Sequence, residues 1–243
     1  MRWLCIALLG CGFTPGGAVT SGAGDAAHPD ASADAQPDAA ATLCGGKVWL
    51  ADFSVDPTTI DLNGDSTLDF AMRDNGALGG TLAGDVWTQD ATSIRPLDTE
   101  PKQDFATRTL VHVRMRNTSL PTAVHGAVAW INFGFTATSF APVFVDAELQ
   151  PNGTQTGTLW GKSSTGAETE LAEFTFLDAG MHDYYLDIDP TTYTVQFQID
   201  QAVPVSRTRA PLPLNGNDDR WASIDAWSDT DAEYGYLRVE ACP

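Results

Sequence analysis

The 243-residue sequence predicts an all-β protein in which residues 44 to 243 form a single β-sandwich. Two observations lead to this prediction. No long segment repeats apolar residues every 3.6 positions, as an amphipathic helix would. Short runs rich in Val, Thr, Phe, Tyr and Trp instead recur between clusters of Gly, Pro, Asn and Asp, which is typical of strands separated by turns. Because no linker interrupts these runs, we expect one sandwich.

Eleven segments have the composition of strands. They are residues 47–53, 68–73, 107–116, 126–135, 143–149, 156–160, 170–176, 182–187, 193–199, 221–227 and 234–240. In the third, Val111, Val113 and Met115 alternate with His112 and Arg114. Successive side chains of a strand point to opposite faces, so this strand is predicted to have one buried face and one wetter face.

The stretch HDYYLDIDPTTYTVQFQIDQAVPV resembles a hairpin of concanavalin A-like and laminin-G-like domains. The matching residues are His182, Asp187, Tyr193, Val195, Phe197, Ile199 and Asp200, with Gln201 where the family usually has glycine. The segments 97–99 and 143–149 fit the same jelly roll in order and spacing. The resemblance implies a concanavalin-like jelly roll. It does not decide the function, because this fold hosts lectins, glycosidases, adhesion modules and structural domains.

The first eleven residues, MRWLCIALLGC, combine one positive charge with a short apolar run that ends in Leu-Leu-Gly-Cys. They resemble a bacterial lipobox, which implies removal of a signal peptide of residues 1–10 and lipidation of Cys11. An ordinary cleaved signal peptide or a poorly chosen start codon are the alternatives. Residues 11–43, rich in Ala, Asp and Pro, are predicted to be a disordered linker. We therefore expect an outer-membrane lipoprotein, with secretion as the alternative.

Charge and cysteine placement restrict the partners and the redox state. The formal charge is −19, from 32 acidic and 13 basic residues, so we expect no nucleic-acid partner. We also expect a monomer that contacts the membrane only through its lipid. Cys44 and Cys242 bracket the predicted domain. In an oxidising compartment this placement predicts a disulfide, with two unrelated buried thiols as the alternative.

The stretch DLNGDSTLDF resembles the calcium loops of dockerin-like and integrin-propeller-like repeats. The candidate ligands are Asp61, Asn63, Asp65, Thr67 and Asp69, which occupy alternate positions around Gly64. Calcium takes six to eight oxygen ligands, which such a loop can direct inward. Ser66 stands where the usual loop has glycine, and Met72 stands where an EF-hand has its bidentate glutamate. The resemblance therefore implies a calcium site but not an EF-hand, and a solvated Asx turn is the alternative.

The sequence contains no GxSxG, HExxH, CxxC or Walker motif. A glycosidase of this fold would be expected to alternate acidic residues along one strand, as in ExDxxE. The nearest runs, Asp146 with Glu148 and Asp187 with Asp189, give only a pair each. Because glycoside hydrolysis needs two carboxyl groups with different protonation states, and such pairs arise by chance among 32 acidic residues, we expect no enzyme.

Carbohydrate binding needs an aromatic platform and a few planar polar groups. In the segment WINFGF, Trp130 and Asn132 share one face of the strand, and with Arg114 they form a candidate ligand site. The alternative places Trp130 in the core and Arg114 on the solvated surface.

Three functional hypotheses remain. The first is a surface-anchored, calcium-stabilised module that binds a glycan or a surface protein. The second is a structural surface lipoprotein without a small ligand, and the third is a divergent glycan hydrolase.

Overall fold

The computed structural model describes residues 43–72, 80–89, 97–100, 107–121, 125–133, 143–162, 167–175, 178–208, 220–226 and 230–243. All of them belong to one compact unit, residues 40 to 243. The predicted signal peptide, Cys11 and almost all of the predicted linker lie outside the described residues. Among the described residues there is no helix long and apolar enough to cross a membrane.

The described residues form fifteen strands and one short 3-10 turn, Pro57–Thr59. The strands are β1 (Lys47–Ala51), β2 (Phe70–Met72), β3 (Thr81–Ala83), β4 (Val86–Gln89), β5 (Leu97–Thr99), β6 (Thr109–Asn117), β7 (Ala127–Phe133), β8 (Val143–Leu149), β9 (Gln155–Lys162), β10 (Glu168–Thr175), β11 (His182–Asp189), β12 (Thr194–Ile199), β13 (Val205–Thr208), β14 (Arg220–Ala226) and β15 (Ala232–Ala241).

The strands make two antiparallel sheets. The first has eight strands in the order β13-β12-β11-β6-β15-β4-β3, with β1 also paired to β15. The second has seven, in the order β10-β9-β8-β7-β14-β5-β2. Sequence neighbours such as β8 and β9 are adjacent, whereas β14 inserts between β5 and β7, far from both in sequence. The all-β jelly-roll prediction is therefore confirmed.

The core lies between the two sheets and follows the alternation of each strand. From the first sheet, Val111, Val113 and Met115 of β6 are buried in it. From the second sheet it receives Val143 and Val145 of β8, together with residues of β7, β9 and β14. Burying a side chain of this size contributes roughly 1.5–3 kcal/mol relative to leaving it exposed. The core face predicted for residues 107–116 is therefore confirmed.

The outer face of the second sheet has a different composition. The residues of β8 between the core positions are Phe144, Asp146 and Glu148, and the first two are fully buried. Val128 of β7, Phe144 and Trp160 of β9 make a second, smaller apolar cluster, separate from the core. This face therefore carries buried aromatic and acidic groups that the packing of the two sheets does not use.

Strands β11 and β12 form the hairpin that the family resemblance predicted. They pair from Asp189 with Thr194 to Tyr184 with Ile199. At the open end of the hairpin, away from the turn, the Asp200 carboxylate lies 2.7 Å from Nδ1 of His182 and accepts the N–H of Asp183 at 2.8 Å. These bonds fix the ends of the hairpin next to β6.

All eleven predicted strands are present, with bounds that differ by a few residues. Four further strands are present. Strand β5 coincides with segment 97–99 of the family resemblance, whereas β3, β4 and β13 were not predicted because they have only three or four residues, too few to show a period. Cys44 and Cys242 are joined in a disulfide with their Cα atoms 5.4 Å apart, which confirms that prediction.

Candidate functional site

A histidine and three carboxylates meet on the outer face of the second sheet. His125 precedes β7, Asp146 and Glu148 lie on β8, and Glu168 opens β10. The chain can bring His125 against β8 because Gly126 follows it: a Cβ on Gly126 would lie 2.3 Å from the carbonyl oxygen of Ala147. His125 itself has a φ of 84°, a conformation that L residues rarely adopt. The backbone is thus held in an unfavourable conformation where the histidine enters the cluster.

Both ring nitrogens of His125 contact carboxylates. Nδ1 lies 2.6 Å from Oδ2 of Asp146, and Nε2 lies 3.0 Å from Oε2 of Glu168. The backbone N–H of His125 donates to Oε1 of Glu148 at 3.1 Å, and Nε1 of Trp160 donates to Oδ2 of Asp146 at 3.0 Å. The side chains of His125 and Asp146 are 3% and 0% exposed, whereas that of Glu168 is 28% exposed. The cluster therefore runs from a buried end to a solvated one.

Aromatic rings enclose the buried end of the cluster. The imidazole of His125 lies edge-on to Phe144 and to Trp160, with ring centroids 5.0 Å apart in both cases. Phe144 and Trp160 are nearly parallel, with centroids 6.2 Å apart and an interplanar angle of 12°. Phe144 is fully buried, but Trp160 is only half-buried. An indole with one polar contact therefore reaches the surface beside the acidic groups.

Burial and hydrogen bonding perturb the titration of this cluster. Burial raises the pKa of Asp146, and hydrogen bonds from His125 and Trp160 offset only part of that effect. Burial and the nearby charge of Asp146 also raise the pKa of Glu148. For His125, burial disfavours the charged ring, but the hydrogen bonds to Asp146 and Glu168 outweigh it, so its pKa is raised. Perturbed titrations of this kind are common at functional sites.

The same residues can bind a metal ion. One donor atom each of His125, Asp146 and Glu148 lies within 4.8 Å of the donor atoms of the other two. In the part of the chain that the structure describes, this is the one group of three or more His, Cys, Asp or Glu side chains with that geometry. Sequence reasoning noted Asp146 and Glu148 only as a chance pair and did not select His125 or Glu168.

The predicted calcium loop lies elsewhere, between the 3-10 turn and β2. Asp61 accepts the N–H groups of Gly64 and Ser66 at 2.8 and 3.0 Å, and Asp65 accepts that of Thr67 at 2.7 Å. The Thr67 N–H is the main reason that the pKa of Asp65 is lowered. Asn63 accepts the N–H of Asp65 at 2.9 Å. The loop is thus a chain of Asx turns, which is the geometry of the alternative reading, and calcium binding stays a prediction.

Two further features of this loop bear on the calcium prediction. Asp69 is 1% exposed and accepts the N–H of Leu62 at 2.6 Å, and burial raises its pKa. Ser66, which stands where the usual loop has glycine, has a φ of 68°, close to the 69° of Gly64. The backbone at position 66 therefore adopts the left-handed conformation that glycine favours.

The predicted ligand site of Arg114, Trp130 and Asn132 does not form as one site. Arg114 belongs to β6 of the first sheet, and it alternates with Val113 and Met115, which face the core. Trp130 and Asn132 belong to β7 of the second sheet. The core therefore separates Arg114 from the other two residues, and placing it beside them was wrong. Ligand binding by Trp130 or Asn132 stays a prediction, because the structure does not describe their side chains.

Comparison with known proteins identifies the fold and no family. No protein-family model matches the sequence, and no curated protein matches it. Three solved structures of similar fold each have a TM-score of 0.50. They are an alginate lyase from Pseudomonas aeruginosa (9% identity, covering 70% of this chain and 88% of that one), a glycosidic hydrolase (14%, 83% and 99%) and a prokaryotic β-1,3-1,4-glucanase, or lichenase, derived from a mouse hindgut metagenome (14%, 80% and 99%). At these identities the likeness shows a jelly-roll fold and does not show an activity.

Proposed function

We propose that this protein is a surface-anchored, calcium-stabilised module that binds a glycan on the outer face of its second sheet. The observation that carries the proposal is the half-buried Trp160, whose indole N–H is bonded to Asp146 at 3.0 Å. Sugar sites combine an aromatic face with a few fixed polar groups, and the partly exposed indole beside Glu148 and Glu168 meets that requirement.

The charge of this face favours an uncharged polysaccharide. Glu168, Glu170 and Glu173 all lie on β10, at or near the cluster, and the chain as a whole carries a formal charge of −19. An anionic polymer such as alginate would be repelled by these carboxylates, whereas they can accept hydrogen bonds from the hydroxyl groups of a neutral glucan.

Phe144 supports binding rather than cleavage. The alternating positions of β8 that face outward hold Phe144, Asp146 and Glu148, so an apolar ring stands at the first position of an alternating acidic motif. Asp146 is fully buried and bonded to His125 and Trp160. Hydrolysis with the usual pair of carboxyl groups requires both of them to reach the sugar, and Asp146 is enclosed.

Glycan cleavage is the second candidate, and one observation favours it. Glu148 is half-buried, and burial together with the charge of Asp146 raises its pKa. A raised pKa keeps a carboxyl group protonated to a higher pH, which is the direction that a general acid needs.

A glycan-array screen of the full chain tests the proposed function, with neutral β-glucans and alginate on the same array. We expect binding to a neutral glycan, at least roughly tenfold weaker in Trp160→Ala, because loss of an aromatic platform costs on the order of 1 kcal/mol or more. Release of soluble oligosaccharides during incubation would instead support the second candidate.

Tyr185→Ala is the matched control. Tyr185 is a 37% exposed aromatic residue on β11 of the first sheet, where it stacks on His112. Its truncation should leave glycan binding unchanged. If both variants bind as the parent protein does, or if no glycan binds, the proposed site is wrong and a structural lipoprotein becomes the better hypothesis.

We also propose that the chain is an outer-membrane lipoprotein anchored through Cys11. Support comes from the sequence MRWLCIALLGC and from the Ala-, Asp- and Pro-rich segment that follows it. Metabolic labelling with a fatty-acid analogue should mark the protein, and Cys11→Ala should abolish the label because the acylated thiol is gone. The control Cys5→Ala, which changes the other cysteine of the leader, should keep the fatty-acid label. Labelling that persists in Cys11→Ala would refute the anchor.

A further inference from the structure

We propose that His125, Asp146 and Glu148 bind one divalent transition-metal ion, with zinc as the best match, and that Glu168 orients the histidine. The inference goes beyond glycan binding and does not depend on it, because it uses contacts inside the cluster and not the exposed face of Trp160.

The donor atoms suit zinc better than calcium. Zinc is bound by imidazole nitrogen at about 2.0–2.1 Å and by carboxylate oxygen at about 2.0–2.2 Å, whereas calcium and magnesium take oxygen ligands. Nδ1 of His125 and Oδ2 of Asp146 are 2.6 Å apart, with a hydrogen bond between them. A tetrahedral ion between these atoms needs them roughly 3.3 Å apart, so the metal would replace the bridging proton after a small side-chain movement.

The unpaired oxygen of Asp146 is the second observation. Oδ1 of Asp146 is buried and finds no hydrogen-bond donor among the described residues. Its neighbouring acidic group, Glu148, can donate to Asp146 only when it is protonated. A buried acceptor without a donor is costly, and a cation beside it removes that cost.

Two neighbouring side chains, Glu168 and Trp160, orient the proposed ligands His125 and Asp146. Ligating histidines almost always donate their other ring N–H to a carboxylate or a carbonyl, which fixes the tautomer. Here Nε2 of His125 is 3.0 Å from Glu168 and Nδ1 is 2.6 Å from Asp146, so Nδ1 is the nitrogen available to a metal ion beside Asp146. Trp160 donates to Oδ2 of Asp146 and so orients that carboxylate.

His125, Asp146 and Glu148 would fill three of the four coordination positions of a tetrahedral zinc ion. A closed structural zinc site has four protein ligands, while a site with three keeps a position for water or another small ligand. Glu148 is half-buried and Glu168 is 28% exposed, so solvent reaches the cluster from the side of β10. The inferred site is therefore an exchangeable one that chelators can empty.

Isothermal titration of the full chain with zinc alone, after dialysis against a chelator, tests the site. We expect about one equivalent of zinc with micromolar or tighter affinity, a raised melting temperature, and no competition from a large excess of calcium or magnesium. X-ray absorption at the zinc edge should show nitrogen and oxygen neighbours and no sulfur, which excludes binding by the leader cysteines.

Asp146→Asn should weaken zinc binding at least 100-fold, because it keeps the shape and removes the charge. Glu168→Gln should weaken it by about 10–100-fold, since Glu168 is a positioning residue that contacts the histidine and not the metal. Asp61→Asn with Asp65→Asn, in the exposed acidic loop, should leave zinc binding unchanged. Glu148→Gln provides a second ligand variant if Asp146→Asn does not fold.

Three outcomes would overturn the inference: no zinc uptake by the folded chain, sulfur neighbours in the absorption spectrum, or zinc affinity that is unchanged in the ligand variants. In the first case the cluster is a proton-bridged network of His125 with its carboxylates. Because glycan binding is measured separately with Trp160→Ala, failure of one proposal leaves the other standing.

Discussion

Glu240 shows how one side chain can join the two ends of the domain. It lies on β15 and is fully buried, yet it accepts the N–H of Leu43 at 2.9 Å and that of Cys44 at 2.7 Å. Nη2 of Arg238 also donates to it at 3.0 Å. Burial by itself would raise the pKa of this carboxyl, but the hydrogen bonds from Cys44, Leu43 and Arg238 together outweigh burial, so the pKa of Glu240 is lowered.

The lowered pKa of Glu240 predicts how the free energy of unfolding changes in acid. A carboxyl whose pKa is lower in the folded state contributes stability above its unfolded value of 4.5, and that contribution is lost as the pH falls through the folded pKa. We expect Glu240→Gln to lower the free energy of unfolding by roughly 1–3 kcal/mol at pH 7, with the difference shrinking below pH 4.5. Denaturant titrations at several pH values measure it.

Glu170→Gln is the control for this prediction, because Glu170 is exposed on β10. It should change the free energy of unfolding by less than about 0.5 kcal/mol at any pH. A Glu240→Gln variant whose loss of stability stays the same from pH 7 to pH 3 would contradict the assignment.

At the scale of elements, the loop before β2 and the outer face of the second sheet offer different chemistry. The loop carries oxygen donors on an exposed turn, whereas the cluster of His125 with Asp146, Glu148 and Glu168 combines carboxylate oxygens with a histidine nitrogen and is buried at one end. Hard cations prefer the first set and zinc-like cations the second. The two proposed metal sites should therefore respond to different ions.

Calcium is expected to bind the loop formed by Asp61, Asn63, Asp65, Thr67 and Asp69. In calorimetry on the full chain, calcium should bind and raise the melting temperature, because ligands that bind only the folded state stabilise it. Asp61→Ala with Asp65→Ala should remove both effects, since two of the charged ligands are lost.

Asp146→Asn serves as the control here, because Asp146 lies on β8 and not in the loop. It should leave the calcium response intact while zinc binding is lost. A melting curve that neither calcium nor chelator changes would show that the loop is only a solvated Asx turn.

At the scale of the whole molecule, the disulfide and the pairing of β1 with β15 join the two ends of the domain. Cys44 and Cys242 are 198 residues apart in sequence, and β1 pairs with β15 from Lys47 with Ala241 to Ala51 with Leu237. The approach is close at the disulfide end: a Cβ on Gly46 would lie 1.6 Å from the carbonyl oxygen of Ala241. The first and last strands are thus fixed together both covalently and by hydrogen bonds.

Reduction of the disulfide should lower the stability of the whole domain. The chain-entropy model gives about 5 kcal/mol for a loop of this length, and measured effects are often smaller. We expect the melting temperature to fall by several degrees in the presence of a reductant. The double variant Cys44→Ser with Cys242→Ser should melt at that lower temperature with or without reductant. Two free thiols in the oxidised, purified protein would contradict the bond.

Much of the fold was predictable from local pattern. The alternation of Val111, Val113 and Met115 identifies the buried face of β6, because neighbouring side chains of a strand point to opposite sides. The two boundary cysteines indicated their own pairing. Short strands such as β3 could not be predicted, because three residues cannot show a period. Such a strand becomes recognisable only by its pairing with a neighbouring strand.

The sequence by itself determined that the chain is an all-β sandwich, which face of β6 is buried, and that its ends are joined. Only the tertiary structure decided which side chains meet. His125, Asp146 and Glu168 come together because β8, β9 and β10 are adjacent in one sheet and Gly126 lets the histidine approach β8. Arg114 and Trp130 separate because their strands belong to different sheets. A period of two residues gives the face of a strand but not its neighbours, so the site depends on contacts between distant segments.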